Sequence, residues 1–348
     1  MPDMTAIKAF IAGCAGHVLS PDEAAFFREA QPWGFILFRR NVDTPDQVRR
    51  LTDALRESVG RADAPVLVDQ EGGRVQRLAP PHWPAYPPAA AFGRLPANDF
   101  LLRREVARLG ARLIAHDLRA VGITVDCMPV LDVPVPGADS VIGDRAYGRD
   151  AREVAVLGRA CAEGLLAGGV LPVVKHVPGH GRGNADSHHA LPVVEAVRED
   201  LAVSDFLPFR VLADMPLAMS AHIIYRALDP RRPATVSRRV IGEVIRGEIG
   251  FGGLLMSDDI SMNALAGTIG ERARAASRAG CDIVLHCNGR LEEMKTVAEV
   301  VPTLAGMARA RAAAALARLA HEPEPFDVAE GRERLKSALA MGSVGAET

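Results

Sequence analysis

Eight short apolar runs recur along the chain, and each of them ends in polar residues. They lie at residues 9–17, 33–40, 64–71, 123–132, 169–176, 216–223, 253–259 and 281–288. Continuous apolar runs of this length are typical of parallel strands that are buried on both faces. The pattern therefore predicts eight parallel strands in the interior of the protein.

Helical patterns lie between most of these runs. Thr44 followed by Pro45 is a helix cap with proline at the first helical position. Ser237 is a candidate cap for a later helix, which Gly250 would end. Residues 100–121 carry apolar side chains at near-helical spacing. Eight strands that alternate with helices favour an α/β fold, a single-domain (β/α)₈ TIM-type barrel, over an open doubly wound sheet.

The length of 348 residues suits one barrel domain, because α/β barrels often reach this size as a single domain. We expect residues 1–320 to form the barrel. From residue 321 onwards the sequence is typical of a linker followed by a short helix. Residues 321–348 are therefore expected to be a carboxyl-terminal extension, packed on the barrel or frayed from it.

Charge and cysteine content limit the partners and the compartment. The formal net charge is −2, which predicts neither nucleic acid nor a membrane as a partner. The 5 cysteines are scattered without a C-x-x-C pair, which fits a reducing compartment. The amino terminus lacks the pattern of a secretion signal, and no run of about eighteen apolar residues occurs. We therefore expect a soluble cytoplasmic protein, and no feature of the sequence requires more than a monomer.

Polar residues occupy the ends of the predicted strands. In barrels of this type the active site is built at the carboxyl ends of the strands and from the loops that follow them. The candidates at these ends are Asp69, Asp132, Lys175, His176, His222, Asp258 and His286. We expect them to form a ring around one mouth of the barrel.

The stretch KHVPGHGRGNADSHHALP, residues 175–192, concentrates titrating side chains in a loop rich in glycine. A phosphate-binding loop is disfavoured, because Asn184 occupies the place of the third glycine of a dinucleotide fingerprint. A metal site is an alternative, although the histidine spacings match no compact ligand pattern. A Schiff base at Lys175 is another alternative. A charged lysine that donates hydrogen bonds to substrate hydroxyls is the simpler interpretation.

The spacing of Asp186 and His188 indicates acid/base chemistry. Residues two apart in an extended segment project on the same side, so the carboxylate can orient the imidazole and raise its basicity. Asp258 follows an apolar strand and precedes a predicted helix. A carboxylate at a barrel mouth with a proton donor across from it is the minimum requirement for retaining glycoside hydrolysis. An Asx-turn at Asp186 and a helix cap at Asp258 remain the alternatives.

Five motifs, in order and at compatible spacing, together resemble glycoside hydrolase family 3. They are VDQEGGRVQRL (68–78), IGDRAYG (142–148), KHVPGHG (175–181), ADSH (185–188) and MSDDISM (256–262). More narrowly, they resemble the bacterial cytoplasmic β-N-acetylhexosaminidases that recycle peptidoglycan, over roughly residues 8–320. Val177 replaces the aromatic residue that many relatives have at this place, which leaves the hydrogen-bonding groups of the motif intact.

The resemblance implies an activity and a set of site residues. Asp258 would be the nucleophile that forms a covalent glycosyl intermediate, and His188 would be the general acid/base with Asp186 as its partner. The residues implied to hold the non-reducing N-acetylglucosamine are Asp69, Arg77, Arg145, Lys175 and His176. The implied substrate is a muropeptide, N-acetylglucosamine linked to anhydro-N-acetylmuramic acid with or without peptide. No metal or organic cofactor is implied.

Three other functions stay open. A neutral histidine does not repel an incoming anion, so transfer of the sugar to phosphate instead of water is the first. The others are a metal-dependent amidohydrolase and a barrel that binds muropeptides as a sensor without cleaving them. His189 is a rival for the acid/base role, but the one-residue gap after Asp186 favours His188. The glycines of this loop predict that His188 moves into place only with substrate.

Overall fold

A computed structural model describes residues 7–96, 99–187 and 190–344, and in it eight parallel strands close into a barrel. The strands are β1 (Lys8–Gly13), β2 (Pro32–Leu37), β3 (Val66–Val68), β4 (Val125–Asp126), β5 (Leu171–Val177), β6 (Leu217–Ser220), β7 (Leu254–Asp259) and β8 (Ile283–His286). Each strand pairs with its neighbours in sequence, and β8 closes the barrel against β1. The predicted (β/α)₈ barrel is confirmed.

Helices surround the barrel. They are α1 (Pro21–Ala30), α2 (Pro45–Val59), α3 (Ala90–Gly93), α4 (Phe100–Arg119), α5 (Ala151–Ala167), α6 (Arg198–Val203), α7 (Phe206–Val211), α8 (Ile269–Ala279), α9 (Leu291–Val300), α10 (Gly306–Ala317) and α11 (Val328–Val344), with a π-helical segment at Val240–Glu248. No helix within the described ranges is long and apolar enough to cross a membrane.

The predicted helix caps are present. The Thr44 side chain accepts a hydrogen bond from the backbone N–H of Gln47 at 3.3 Å, and α2 begins at Pro45. The Ser237 hydroxyl accepts from the backbone N–H of Val240 at 3.1 Å. These contacts satisfy backbone donors that have no partner within a helix. The amino ends of both helices therefore lie where the sequence predicts them.

The fourth strand is shorter than its apolar run predicts. Residues 123–132 are expected to be extended, but β4 spans only Val125–Asp126. Pro129 lacks the N–H that a regular ladder needs at that position. The chain nevertheless stays beside β5, because Leu131 donates its N–H to the carbonyl of Lys175 at 2.7 Å. This pairing places Asp132 next to the end of β5.

Apolar side chains fill both faces of the sheet. In β1, Ile11 belongs to the cluster inside the barrel, and Phe10 belongs to the cluster between the strands and the helices. Each such buried side chain contributes about 1.5–3 kcal/mol relative to an exposed one. Ala312 and Ala315 of α10 belong to the inner cluster, and α10 packs against β7. The barrel is therefore closed at its amino-terminal end, and the opposite end is available for a site.

The carboxyl-terminal segment forms a longer helix than the sequence predicts. Helix α11 has 17 residues. Leu335 and Ala338 are buried against the core, and Arg332 donates to Asp117 of α4 at 2.9 Å. These contacts order the helix on the barrel although its sequence has little helical amphipathicity. The division of the chain into a barrel at 1–320 and an extension at 321–348 stays a prediction.

Candidate active site

A cavity of about 350 Å³ lies at the carboxyl-terminal end of the barrel. It brings together seven of the predicted site residues, which are Asp69, Arg77, Arg145, Lys175, His176, Asp186 and Asp258. The eighth, His188, and its rival His189 lie outside the described residues. Asp258 therefore faces the same cavity as the predicted sugar-binding groups.

Lys175 lies between two carboxylates on the floor of this cavity. Its ammonium group is 2.9 Å from Asp69 Oδ1 and 2.6 Å from Glu71 Oε1, and its side chain is only 2% exposed. Burial opposes the charged amine, but the two carboxylates outweigh burial and raise the pKa of Lys175 above its ordinary value. A Schiff-base lysine needs a lowered pKa. The charged, hydrogen-bonding interpretation of Lys175 is therefore the better one.

Asp69 connects Lys175 to Arg77, whose Nη2 donates to Asp69 Oδ2 at 3.0 Å. Burial favours the neutral acid, but the two cations outweigh it and hold the pKa of Asp69 well below its ordinary value. The group is therefore an ionised carboxylate. Each of its oxygens can accept a further hydrogen bond, as recognition of two adjacent sugar hydroxyls requires.

Glu71 is a site residue that the sequence analysis missed. Arg145 donates to it through Nε and Nη2, both at 2.8 Å, in a bidentate pair. Burial would raise the pKa of Glu71, but Lys175 and Arg145 lower it to about 2. Glu71 lies two residues after Asp69, and this spacing puts both side chains on one side of an extended segment. The same rule that joined Asp186 and His188 is the signal that would have found it.

Asp132 orients His176 from behind the cavity. His176 Nδ1 lies 2.7 Å from Asp132 Oδ2, and Asp132 Oδ1 accepts the backbone N–H groups of His176 at 3.2 Å and His180 at 2.6 Å. Burial would raise the pKa of Asp132, but the two histidines and these hydrogen bonds lower it to about 2. An ionised acceptor makes Nδ1 the donor, so Nε2 of His176 is left for the cavity.

Three members of the expected ring of polar strand ends do not line the cavity. Asp132 lies behind it, against His176. His222 contacts the Thr235 hydroxyl at 2.8 Å and the Asp259 carbonyl at 3.0 Å. His286 is fully buried and contacts Glu293 at 3.1 Å. In β8 the side chain before His286 points into the barrel, so alternation turns His286 towards the helices. For these three residues the prediction of a place around the cavity is wrong.

The end of β7 separates the roles of its two adjacent acids. Asp259 accepts the backbone N–H groups of Ser261 at 3.0 Å and Cys287 at 3.2 Å, which is the work of a turn or cap residue. Asp258 lines the cavity and accepts the backbone N–H of Asp259 at 2.8 Å. Both acids line the cavity, but the carboxylate of Asp259 is engaged in the turn, so the capping alternative applies to Asp259.

The first half of the glycine-containing loop is tied to the barrel. Tyr225 donates its hydroxyl to the Gly179 carbonyl at 2.7 Å, and Arg182 Nε donates to the buried Asp205 at 2.7 Å. The Gly183 carbonyl accepts from the backbone N–H of Asp139 at 2.9 Å. These bonds fix residues 179–183 beside the cavity.

The described ranges contain no cluster of three or more histidine, cysteine or acidic side chains arranged to hold a metal ion. The charged groups of the cavity instead form pairs with one another. Carboxylates at the mouth of a (β/α)₈ barrel, next to a pocket of paired cations and anions, fit the chemistry of glycoside hydrolases.

The comparisons with known proteins identify the family. The glycosyl hydrolase family 3 N-terminal domain matches residues 19–321, and the chain belongs to this family. A β-hexosaminidase of Alkalilimnicola ehrlichii is 42% identical over 291 residues, which is 79% of each chain. A β-hexosaminidase of Methylobacillus flagellatus is 36% identical over 95% of this chain and 94% of its own. The enzyme is therefore a glycoside hydrolase, and these two relatives are named β-hexosaminidases.

A solved structure supports the same assignment. The structure of NagZ from Neisseria gonorrhoeae in complex with N-trifluoroacetyl-D-glucosamine superposes with a TM-score of 0.84 at 30% identity. The match covers 97% of this chain and 98% of that one. Both chains therefore share the fold over almost their whole lengths.

Proposed function

We propose that the protein is a retaining exo-β-N-acetylglucosaminidase. It removes terminal non-reducing N-acetylglucosamine from peptidoglycan fragments in which this sugar is linked to anhydro-N-acetylmuramic acid, with or without peptide. Residues 1–320 are the catalytic barrel in this proposal, and the fragments are recycled in the cytoplasm. The observation that carries it is the common cavity of Asp258, Asp186 and the paired groups around Lys175.

The size of the cavity supports action at a chain end. About 350 Å³ is near the lower limit of small-molecule sites, which is about 300 Å³. Such a pocket holds one sugar unit and leaves the rest of the substrate outside. The names of the relatives and the N-trifluoroacetyl-D-glucosamine bound to NagZ support an acylamino sugar as that unit.

The cleavage proceeds in two displacement steps. In the first, Asp258 attacks C1 of the sugar while the bond from C1 to the leaving oxygen breaks, and His188 gives its proton to that oxygen. In the second, His188 takes a proton from water, the water oxygen attacks C1, and the bond to Asp258 breaks. Asp186 holds the His188 ring and stabilises its charged form. Two displacements at C1 retain the β configuration.

The paired charges hold the sugar during both steps. Asp69 accepts from adjacent hydroxyls, and Arg77, Arg145, Lys175 and His176 donate to hydroxyl or carbonyl oxygens. Because Asp69 and Glu71 already fix the cations, little side-chain freedom is lost when the sugar binds. A neutral, hydroxyl-rich ligand suits a pocket in which cations and carboxylates nearly balance.

Incubation with N-acetylglucosaminyl-anhydro-N-acetylmuramic acid tests the proposal. We expect N-acetylglucosamine as the sugar product, first formed as the β anomer in an NMR time course. Phosphate buffer should yield no N-acetylglucosamine 1-phosphate, which would indicate phosphorolysis. Activity that a chelator abolishes would favour the metal-dependent alternative, and binding without cleavage would indicate a sensor.

A further inference from the structure

His180 is a buried cavity residue that the proposed mechanism does not use. Its side chain lines the cavity, and the residue is 3% exposed. His180 Nε2 lies 3.3 Å from the hydroxyl of Ser187, and Nδ1 has no hydrogen-bond partner among the described residues. Ser187 stands between Asp186 and His188 in the chain and is itself 4% exposed. One contact thus joins the floor of the cavity to the acid/base segment.

Hydrogen bonding at His180 and close packing at the two glycines that follow it restrict the position of the His180 ring. Its own N–H donates to Asp132 at 2.6 Å, the same carboxylate that orients His176. Gly181 lies so close to Val133 that a Cβ would be 2.0 Å from the Val133 carbonyl oxygen. A Cβ at Gly183 would meet the His180 ring at 3.0 Å. The loop is therefore shaped to keep this ring where it is.

The protonation of the ring follows from its surroundings. Burial, partly offset by Asp132, lowers the pKa of His180 to about 4. The neutral ring carries a single N–H. If this N–H were on Nδ1, it would be a buried donor without a partner. If it is on Nε2, Nδ1 is instead a buried acceptor without a partner. Folded proteins avoid an unpaired buried N–H more strictly than an unpaired acceptor. The N–H therefore lies on Nε2 and donates to the Ser187 hydroxyl.

We propose that His180 is a positioning residue whose hydrogen bond to Ser187 holds the loop segment that carries Asp186 beside the sugar pocket. The proposal rests on the proposed acid/base role of His188. Asp132 then contacts both the sugar-binding group His176 and the loop residue His180. It orients the ring of the first and binds the backbone N–H of the second. A displaced segment would deliver the proton poorly while the attack by Asp258 is unaffected.

The test compares substrates that need protonation of the leaving group with substrates that do not. The variants are His180→Met, which removes the donor, Ser187→Ala, which removes the acceptor, and the double variant. We expect kcat/KM for an alkyl N-acetylglucosaminide to fall roughly tenfold in each, as for the loss of one hydrogen bond. For an activated nitrophenyl glycoside we expect less than about a twofold change. The double variant should be no worse than the single variants, because both remove the same contact.

Two controls separate positioning from structural damage. His180→Gln keeps an N–H near the place of Nε2 and should recover most of the loss on the alkyl substrate. Ser58→Ala removes another buried serine hydroxyl, in α2 and bonded to the Leu55 carbonyl at 2.7 Å, and should leave both substrates unchanged. Equal losses on the two substrates, or additive losses in the double variant, overturn the proposal. If His180→Met does not fold, Ser187→Ala and His180→Gln decide the same question.

His188→Ala distinguishes failure of this inference from failure of the proposed function. If His188→Ala loses more activity on the alkyl than on the nitrophenyl substrate, the acid role holds. If His180→Met and Ser187→Ala then show no such difference, the positioning role alone is overturned. No substrate dependence in His188→Ala overturns the acid role on which it rests.

Discussion

At the scale of single residues, the sugar pocket is built from opposed charges that hold one another in place. Lys175 contacts both Asp69 and Glu71, and Arg145 contacts Glu71 through two hydrogen bonds. Buried charges are tolerated only when partners replace the lost water. Glu71 therefore has two tasks, since it compensates the charges of two buried cations and keeps both of them fixed at the cavity.

Replacement of Glu71 tests this arrangement. In Glu71→Gln, Arg145 and Lys175 lose a charged partner within a buried site. We expect the free energy of unfolding to fall by about 3–5 kcal/mol, as when one member of a buried pair is removed. We also expect kcat/KM to fall at least tenfold, because the donors are no longer fixed. Denaturant unfolding and initial rates measure the two effects.

Glu163→Gln is the matched control. Glu163 pairs with Arg104 at 3.0 Å, but the two side chains are 34% and 42% exposed. A solvent-exposed pair contributes at most about 1 kcal/mol, so this variant should have almost normal stability and activity. Equal effects of the two substitutions would mean that Glu71 has no special place in the pocket.

At the scale of elements, apolar runs predict where strands lie but not which way each polar end faces. The count of eight strands follows from the runs alone, because a strand buried on both faces must be apolar throughout. His286 and Asp258 both stand at strand ends, yet only Asp258 faces the cavity. A shift of a strand by one residue turns each of its side chains to the opposite face of the sheet. The face to which a given side chain points depends on the pairing of all strands in the closed barrel and cannot be predicted from one strand.

Two contacts of the site that the sequence analysis did not predict have different causes. Glu71 stands two residues after Asp69, and the alternation of this segment places both carboxylates at the cavity. The contact of Asp132 with His176 lies beyond the end of β4 at Asp126, whereas the apolar run of 123–132 predicts a continuous strand. The arrangement of Asp69 and Glu71 therefore follows from local alternation, whereas that of Asp132 and His176 depends on pairing between separate strands.

Helix α11 offers a test at this scale. Leu335 is 7% exposed and lies in the main core cluster. We expect Leu335→Ala to lower the free energy of unfolding by about 2–5 kcal/mol while kcat/KM is retained, because the helix packs on α4 and not on the cavity. Met341→Ala, at a position that is 49% exposed, should change stability by less than about 0.5 kcal/mol. If Leu335→Ala has no greater effect, α11 does not stabilise the barrel.

At the scale of the whole molecule, the buried site makes the protein sensitive to acid. The pKa values of Glu71 and Asp132 are about 2, below their ordinary values of 4.5 and 3.8. Their contribution to stability is present above the ordinary values and is lost as the pH falls towards 2. His180 has a pKa of about 4 instead of 6.5, so the unfolded chain binds its proton first. Protonation of His180 in the unfolded chain alone therefore also lowers the free energy of unfolding as the pH falls from 6.5 to 4.

Unfolding measured across pH separates these contributions. We expect the free energy of unfolding of the wild type to fall continuously from about pH 6.5 to about pH 2. His180→Gln cannot take up a proton, so it should lose less stability between pH 6.5 and 4, by about 2–3 kcal/mol, and should keep the decline below pH 4. Identical slopes for the two proteins above pH 4 would show that His180 is not buried in its neutral form.

The central claim is that the Asp258 carboxylate attacks the anomeric carbon. A slow-turnover fluorosugar derivative of N-acetylglucosamine, followed by peptide mapping, measures this directly, because it traps the glycosyl intermediate on the residue that forms it. We predict one sugar adduct per chain, assigned by fragmentation to Asp258, and no adduct in Asp258→Asn. An adduct on Asp259 or on any other residue, or turnover of the reagent by Asp258→Asn at the wild-type rate, would contradict the claim.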